Sequence, residues 1–253
     1  MLSASSAQIE LWIAAFLWPL LRILALFSSA PVLSDRSVPR RVRVGLALLV
    51  TVLIAPTLPA PAPLALFSGA ALLLVAQQLL VGLAIGFSVR IAFSAVELAG
   101  DQIGLQMGLS YATFFDPQTS SQTPIVGSLL SLLATLVFLA IDGPALLLLA
   151  IAESFTIAPI GGTFAAWLNW GMLAQLGAQI FSLGLQLALP VLATLLACNL
   201  ALGVMARAAP QLNLFSVGFP ITLLAGLVLL ALMVGYLGGP LEAAVRSGLR
   251  MWL

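Results

Sequence analysis

Five acidic side chains lie in or beside the apolar segments of this sequence, where an ionisable group is costly and is therefore a functional candidate. They are Glu97, Asp101, Asp116, Asp142 and Glu153. Carboxylates near the midplane of a membrane would suit a proton-coupled transporter of small solutes. However, most of these acids adjoin loop signals, and Asp142 is followed by Gly143 and Pro144, a composition typical of a turn. Positions at helix ends and membrane interfaces therefore explain the acids better than a proton relay.

Glu97 and Asp101 are four residues apart, a spacing that places both carboxylates on one face of a helix. A charge buried in a membrane protein needs an opposite charge or a polar group beside it. Arg90 and Arg207 are the candidate ion-pair or packing partners of these two acids.

A second candidate is the polar and aromatic stretch GLQMGLSYATFFDP, residues 104–117, in a chain that is otherwise almost wholly aliphatic. Gly104 and Gly108 permit close backbone approach or a bend, and Asp116 with Pro117 is a typical opening of a turn. The helical pattern of the preceding residues runs into this stretch, so it predicts a helix end followed by a loop. The large side chains of the stretch are Met107, Tyr111, Phe114 and Phe115.

Two interpretations of this stretch stay open on composition alone. Non-helical backbone at membrane depth persists only where protein buries it or where it lines a cavity. Bulky apolar side chains at such a place would close a pore by excluding water. Alternatively, the aromatic residues belong to a belt at the membrane interface, where tyrosine and tryptophan are enriched.

The composition indicates a membrane protein and excludes most enzyme classes. Of the 253 residues, 62% are hydrophobic and 7% are charged, whereas about a quarter of the residues of a soluble domain carry charge. Histidine and lysine are absent and Cys198 is the single cysteine, which excludes disulfides, His/Cys zinc sites and Ser-His-Asp triads. The net charge of +1 leaves no basic surface for nucleic acid. We therefore expect no catalysis, no metal and no cofactor.

Six apolar segments, each reaching the ~20 residues that cross a membrane, predict an all-α polytopic membrane protein. Prolines in or beside these segments are expected to kink the helices. The arginines of residues 36–43 predict a cytoplasmic loop after the first segment, whereas charge leaves the side of the C-terminus open. The segments cover residues 11–33, 44–66, 69–96, 125–152, 170–203 and 214–238.

Three stretches of the chain together resemble one family. They are AGDQIGLQMGLSYATFFDP at residues 99–117, APIGG at 158–162 and LQLALPVLATLLACNLALGVMARAAPQLNLFSVGFPITL at 185–223. These stretches are similar to the FliR/SctT family of type III secretion export-gate proteins, and the similarity extends along nearly the whole chain. The first stretch differs from the charged DNQRG-like sequence of the injectisome branch, so the chain resembles the flagellar branch more closely.

This resemblance implies a core subunit of the flagellar export gate, which forms with FliP and FliQ a pore for unfolded flagellar proteins. It implies a single membrane domain of kinked helical hairpins, with residues 1–165 as a FliP-like part and residues 166–253 as a FliQ-like hairpin and C-terminal tail. The expected place is the bacterial inner membrane at the flagellar basal body, in contact with lipid and with FlhB as a further partner. The alternatives are an injectisome export-gate homologue and a proton-coupled small-solute transporter.

The resemblance also implies a role for residues 106–116, since the matching loop of the family projects into the pore as a plug. Carried over by position, the plug or gating residues are Gln106, Met107, Gly108, Tyr111, Phe114, Phe115 and Asp116. Gly104 and Pro117, which flank them and were noted above for a bend and a turn, are the predicted hinge residues. The chain has no phosphate-binding loop, so the energy for export must come from elsewhere. We therefore expect a non-enzymatic pore subunit with a gate near the middle of the chain.

Overall fold

The structure, a computed structural model, describes residues 6–35, 37–59, 68–109, 124–162, 170–208 and 214–253. Within these ranges the chain forms α-helices, one short 3₁₀-helix and no strand. The all-α fold class predicted from the apolar segments is therefore confirmed. The elements are α1 (Ser6–Ser29), α2 (Arg40–Ile54), the 3₁₀-helix Ala55–Thr57, α3 (Gly69–Gln106), α4 (Ile125–Ala140), α5 (Gly143–Ile157), α6 (Trp170–Ala208) and α7 (Leu214–Leu249).

Four of these helices contain stretches long and apolar enough to cross a membrane. A helix satisfies its backbone hydrogen bonds internally, which is what the hydrocarbon of a bilayer requires. α4 and α5 meet the same criterion only as a pair, and the pair is bent by 68° at its break. The described part of the chain is therefore a polytopic membrane protein with four candidate spans, or five if the bent pair is one span. The four stretches are Trp12–Ser29, Gly69–Gln106, Gly177–Ala208 and Gly218–Leu249.

The break between α4 and α5 has a local cause at Asp142. This residue has φ 56° and ψ 34°, the left-handed conformation, which cannot continue a right-handed helix. Pro144 lies in the first turn of α5, where its missing N–H has no helical partner to lose. The turn predicted from Asp142, Gly143 and Pro144 is confirmed, and the single segment predicted at 125–152 is in fact two helices.

Three further predicted segments differ from the observed helices, and one of them, the segment at 214–238, continues as α7 to Leu249. The segment predicted at 44–66 is wrong as a span, because α2 ends at Ile54 and has only 15 residues. The 3₁₀-helix that follows contains Pro56, which donates no backbone hydrogen bond and so favours the end of the α-helix. The segment predicted at 69–96 continues as α3 to Gln106, in agreement with the helical pattern of the residues that follow it.

The chain divides into two compact units. Unit 1 comprises Met1–Arg90, Asp142–Ala174 and Val245–Leu253, and unit 2 comprises Ile91–Ile141 and Gln175–Ala244. Each unit draws on both the predicted FliP-like part, residues 1–165, and the predicted FliQ-like hairpin, residues 166–253. The two units are defined by how the residues pack, whereas the predicted division was taken from the family resemblance. The division into a FliP-like part and a FliQ-like hairpin therefore stays a prediction.

In unit 1, α1 and the first half of α3 approach each other at two glycines. A Cβ atom at Gly82 would contact the carbonyl oxygen of Arg22 and lie 2.8 Å from the Cβ of Ala25. One turn later, a Cβ at Gly86 would lie 2.9 Å from the backbone nitrogen of Ala30. The GxxxG spacing therefore serves packing within the chain, as such spacing does between membrane helices generally.

In unit 2, the second half of α3 is surrounded by α4, α6 and α7, and each of these helices brings a glycine against it. Gly127 of α4 lies against Gly100, because a Cβ built on Gly100 would be 2.6 Å from the Cα of Gly127. A Cβ on Gly184 of α6 would be 2.9 Å from the carbonyl oxygen of Ala95. Gly226 of α7 makes the third contact, which involves a candidate site residue. The second half of α3 and the residue that follows it are therefore packed against three other helices of unit 2.

Candidate functional site

The described part of the candidate plug begins where α3 ends. Gln106 is the last residue of α3, and Met107, Gly108 and Leu109 form the turn that follows. The predicted helix end is thus observed, whereas the predicted loop lies outside the described residues. Five further candidates lie outside the described residues, so their predicted roles stay predictions: Tyr111, Phe114, Phe115, Asp116 and Pro117.

A Schellman motif ends α3. The backbone N–H of Leu109 donates to the carbonyl of Gly104 at 3.1 Å, and the N–H of Gly108 donates to the carbonyl of Leu105 at 3.0 Å. Gly108 has φ 82°, the left-handed conformation that this motif requires of the residue after the helix. The sequence folds this way because glycine carries no Cβ to oppose a positive φ. The direction in which the chain leaves α3 is therefore fixed by Gly108.

Gly104, the predicted hinge, is a helical residue of α3. A Cβ at this position would lie 3.4 Å from the Cβ and Cγ2 of Val126 on α4, which is an ordinary packing distance. Of the two uses of glycine considered for this position, close backbone approach is the one visible here. A hinge at Gly104 stays a prediction.

Met107 is fully buried and lies over Gly226 of α7. A Cβ atom built on Gly226 would be 2.5 Å from the Cγ of Met107 and 2.7 Å from both its Sδ and its Cε. The methionine side chain thus occupies the space that any side chain at position 226 would need. Met107, chosen as a plug residue, is packed inside unit 2 in this structure.

Asp101 lies one turn before the end of α3, on the side of α4. Its Oδ1 atom is buried, has no hydrogen-bond partner among the described residues, and would contact a Cβ built on Gly127. The predicted companion Glu97 is exposed, as are Arg90 and Arg207. No hydrogen bond or ion pair of the described residues joins Arg90 or Arg207 to these acids, and their predicted pairing stays a prediction.

A polar cluster that sequence analysis did not single out lies in unit 1, around the fully buried Arg22 of α1. Its Nε donates to Oε1 of Gln78 on α3 at 2.8 Å. Its Nη1 donates to the carbonyl and the hydroxyl of Ser154 on α5, at 2.8 and 3.1 Å, and its Nη2 donates to the carbonyl of Ala158 at 2.7 Å. The guanidinium also lies 4.0 Å from the centroid of the Phe155 ring. One side chain therefore joins three elements without a carboxylate.

The sequence did contain a signal for this cluster. Arg22 lies in an apolar helix, where an arginine must find polar partners. Two adjacent glutamines of α3, Gln77 and Gln78, are similarly buried among aliphatic residues. The stretch PIGG, residues 159–162, forms a tight bend, since the N–H of Gly162 donates to the carbonyl of Pro159 at 3.1 Å. Gln77 Nε2 lies 3.4 Å from that same carbonyl.

The described residues contain no group of three or more histidine, cysteine or acidic side chains that could hold a metal ion. Cys198 on α6 is a free, partly buried thiol. What the arrangement around the end of α3 offers is mechanical: a helix whose end is fixed by a left-handed glycine and by an apolar side chain seated on α7.

Comparison with known families gives one match that extends over most of the chain. Residues 13–247 match the family described as bacterial export proteins, family 1. The match includes the end of α3, the contact of Met107 with Gly226, and the cluster around Arg22. It therefore covers the candidate site as well as the helices that position it.

Individual relatives agree with this match. The chain is 47% identical over 234 residues to the flagellar biosynthetic protein FliR of Escherichia coli. The aligned residues cover 92% of this chain and 89% of that protein. It is 34% identical over 222 residues to FliR of Bacillus subtilis, covering 85% and 84% of the two chains. It is 32% identical over 236 residues to FliR of Caulobacter vibrioides, covering 91% and 92%. The similarity thus concerns whole chains rather than a shared motif.

Proposed function

We propose, since this chain belongs to the bacterial export proteins of family 1, that it is a core subunit of the gate through which flagellar proteins leave the cell. The chain is a membrane-embedded component of flagellar protein export, and its family is one of export components rather than of enzymes. Beyond this role in export, we propose that the chain lines a pore, contributes a plug loop to it and assembles with specific protein partners. The pore is formed with FliP and FliQ in the bacterial inner membrane, at the flagellar basal body, and FlhB is a further partner.

The lengths of the helices support assembly with other subunits. α3 has 38 residues and α6 has 39, so at 1.5 Å per residue each is about 57 Å long. A hydrocarbon core is only ~30 Å thick, and fitting such a helix within it would need a tilt of about 58°, beyond the ~40° seen in membrane helices. Parts of these apolar helices therefore extend past the hydrocarbon, where other parts of this chain or other subunits cover them.

The faces of α6 and α7 support the same conclusion. Only 22% of the candidate span of α6 and 28% of that of α7 are buried within the chain, against 50% for α3. Large apolar side chains such as Phe181, Leu200 and Val204 are more than two-thirds exposed. Exposed apolar surface of this extent marks contact with lipid or with other proteins, and in the proposed complex FliP and FliQ cover it.

The observation that supports the plug is the stretch GLQMGLSYATFFDP, which begins in the last turn of α3 and continues beyond its end. Its glycine in the left-handed conformation turns the chain out of the helix, and its aromatic residues come next in sequence. In the proposed complex this loop extends into the pore, and its apolar side chains exclude water and ions until an unfolded flagellar protein passes. The residues assigned to the plug are those named in the sequence analysis, from Gln106 to Asp116.

A leak measurement tests the proposal. Residues 110–116 are deleted in the chain, which is then expressed with FliP, FliQ and the rest of its export apparatus, and the passage of ions into membrane vesicles is measured. We expect the deletion to raise the leak while FliP and FliQ still co-purify with the chain. Vesicles that stay tight, with the complex assembled, would contradict the plug.

Two alternatives predict different outcomes. A proton-coupled transporter of small solutes would transport when purified alone and would lose transport on Asp101→Asn, whereas a gate subunit has no autonomous transport. An injectisome homologue would fail to restore swimming to a flagellated strain that lacks its own FliR, whereas a flagellar subunit restores it. The first comparison decides the class of protein and the second decides the export system.

A further inference from the structure

We propose that Gly226 of α7 is a positioning residue of the gate: by lacking a side chain it seats Met107, and the seated Met107 holds the end of α3 from which the plug begins. This inference rests on the proposed function, because it concerns the root of the same plug. It assigns a role to a glycine more than a hundred residues away in the sequence. It also changes the role of Met107, from a side chain that occludes the pore to one that anchors the loop.

The contact is specific to these two residues. Met107 has no exposed surface, and its Cγ, Sδ and Cε atoms all lie within 2.7 Å of the position that a Cβ on Gly226 would occupy. Three other glycines of α7 differ from Gly226, since Gly235, Gly238 and Gly239 have open space where a Cβ would be. Even alanine at position 226 would therefore displace the methionine, whereas alanine at position 235 displaces nothing.

The position of Met107 in the sequence explains why its contact with Gly226 matters for the plug. Met107 is the last residue before Gly108, whose left-handed conformation sets the direction of the outgoing chain. Its own N–H donates to the carbonyl of Ile103 at 2.9 Å, so the residue is still tied to α3. A displaced Met107 therefore shifts both the last turn of α3 and the turn at Gly108. Gly226, Met107 and Gly108 together determine the direction of the chain up to Leu109, the last described residue before the plug.

The contact also couples two parts of the chain. α7 belongs to the predicted FliQ-like hairpin and α3 to the predicted FliP-like part, and in unit 2 they meet at Met107 and Gly226. Methionine is flexible and adapts to irregular surfaces, so its seat can be lost without unfolding either helix. A movement of α7 in the assembled complex would then be transmitted to the root of the plug.

The test uses the complete chain in its own export apparatus and compares ion leak at equal amounts of assembled complex. We expect Gly226→Ala and Met107→Ala each to raise the leak toward that of the chain lacking residues 110–116. The double variant should leak no more than the leakier single variant, because both changes remove one contact. Gly235→Ala on the same helix and Met205→Ala, a methionine that is 54% exposed, are the matched controls and should stay tight.

The outcomes separate this inference from the proposed function. If the deletion of residues 110–116 leaks while assembled Gly226→Ala and Met107→Ala stay tight, the seat is overturned and the plug stands. If the deletion itself stays tight, the plug is wrong. Should Gly226→Ala prevent assembly, Met107→Ala decides, since shortening the methionine creates space instead of a clash. A double variant whose leak equals the sum of the two single effects also contradicts the seat.

Discussion

Arg22 of α1 donates from Nη2 to the carbonyl oxygen of Ala158, one residue beyond the end of α5, at 2.7 Å. The last carbonyls of a helix have no partner within the helix and carry a partial negative charge. A cation from a neighbouring helix satisfies both needs at once. Arg22 therefore fixes the end of α5 and the bend that follows it, while the other guanidinium nitrogens join α5 to α3.

The first prediction concerns Arg22→Met, which keeps much of the apolar stem and removes the guanidinium. The carbonyl of Ala158 and the amide oxygen of Gln78 would each lose their donor in a buried site, whereas the carbonyl of Ser154 would keep the backbone N–H of Ala158. An unsatisfied buried group costs about 1–3 kcal/mol, so the loss of stability should amount to several kcal/mol in total. A marked fall in the temperature at which the purified protein aggregates in detergent would register it.

Arg207→Met is the matched control for this change, because Arg207 is exposed at the end of α6. A surface substitution of this kind changes stability by about 0.5 kcal/mol or less. Arg22→Lys should recover only part of the loss, since an ammonium group cannot reproduce the planar fork of three donors. Equal stability of the Arg22 and Arg207 variants would contradict the structural role of the buried arginine.

A second prediction concerns the approach of α1 to α3. Gly82→Ala would place a methyl group against the backbone of α1. The neighbours there include the carbonyl oxygen of Arg22 and the backbone nitrogen of Leu26, and these backbone atoms cannot move aside as a flexible side chain can. Overpacking of this type costs about 1–3 kcal/mol. Gly45→Ala in α2 meets no atom within 4 Å and should be neutral or stabilise by about 0.5–1 kcal/mol, because alanine is the better helix former. Thermal aggregation of the two variants, measured side by side, checks the difference in sign.

The helices and turns of this protein were predictable because their causes are local. Apolar length predicts most of the spans, although not the early end of α2, and the sequence around Asp142 predicts a turn. The partners of Arg22 were not predictable, because Ser154 and Ala158 are more than 130 residues away and only the fold brings them near. The burial of Met107 has the same explanation: periodicity assigns a residue to a face of α3, but not the helix that covers that face.

A third prediction concerns Gly108. Its φ of 82° opposes any residue with a Cβ, and the left-handed conformation costs such a residue roughly 1–2 kcal/mol. We expect Gly108→Ala to weaken the two hydrogen bonds that end α3, and Gly108→Asn to weaken them less, since asparagine tolerates this conformation. Faster hydrogen exchange of the amides of residues 108 and 109 would be the measured effect. Gly104→Ala is the control, because its Cβ would only make ordinary contact with Val126.

The fourth prediction separates a structural role of Asp142 from a role in proton transfer. Asp142 is exposed, makes no side-chain capping hydrogen bond and has φ 56°. The carboxylate is thus dispensable, whereas the conformation is needed to break the chain between α4 and α5. Asp142→Asn and Asp142→Gly should leave stability and the secretion of flagellar proteins unchanged, because both residues tolerate positive φ. Asp142→Val should lower stability by about 1–2 kcal/mol or more, since a branched side chain clashes in that region.

A proton relay predicts the opposite ranking: loss of function in Asp142→Asn, which removes the ionisable group and keeps the shape. Secretion by this one variant, measured at unchanged protein levels, therefore decides between the two roles.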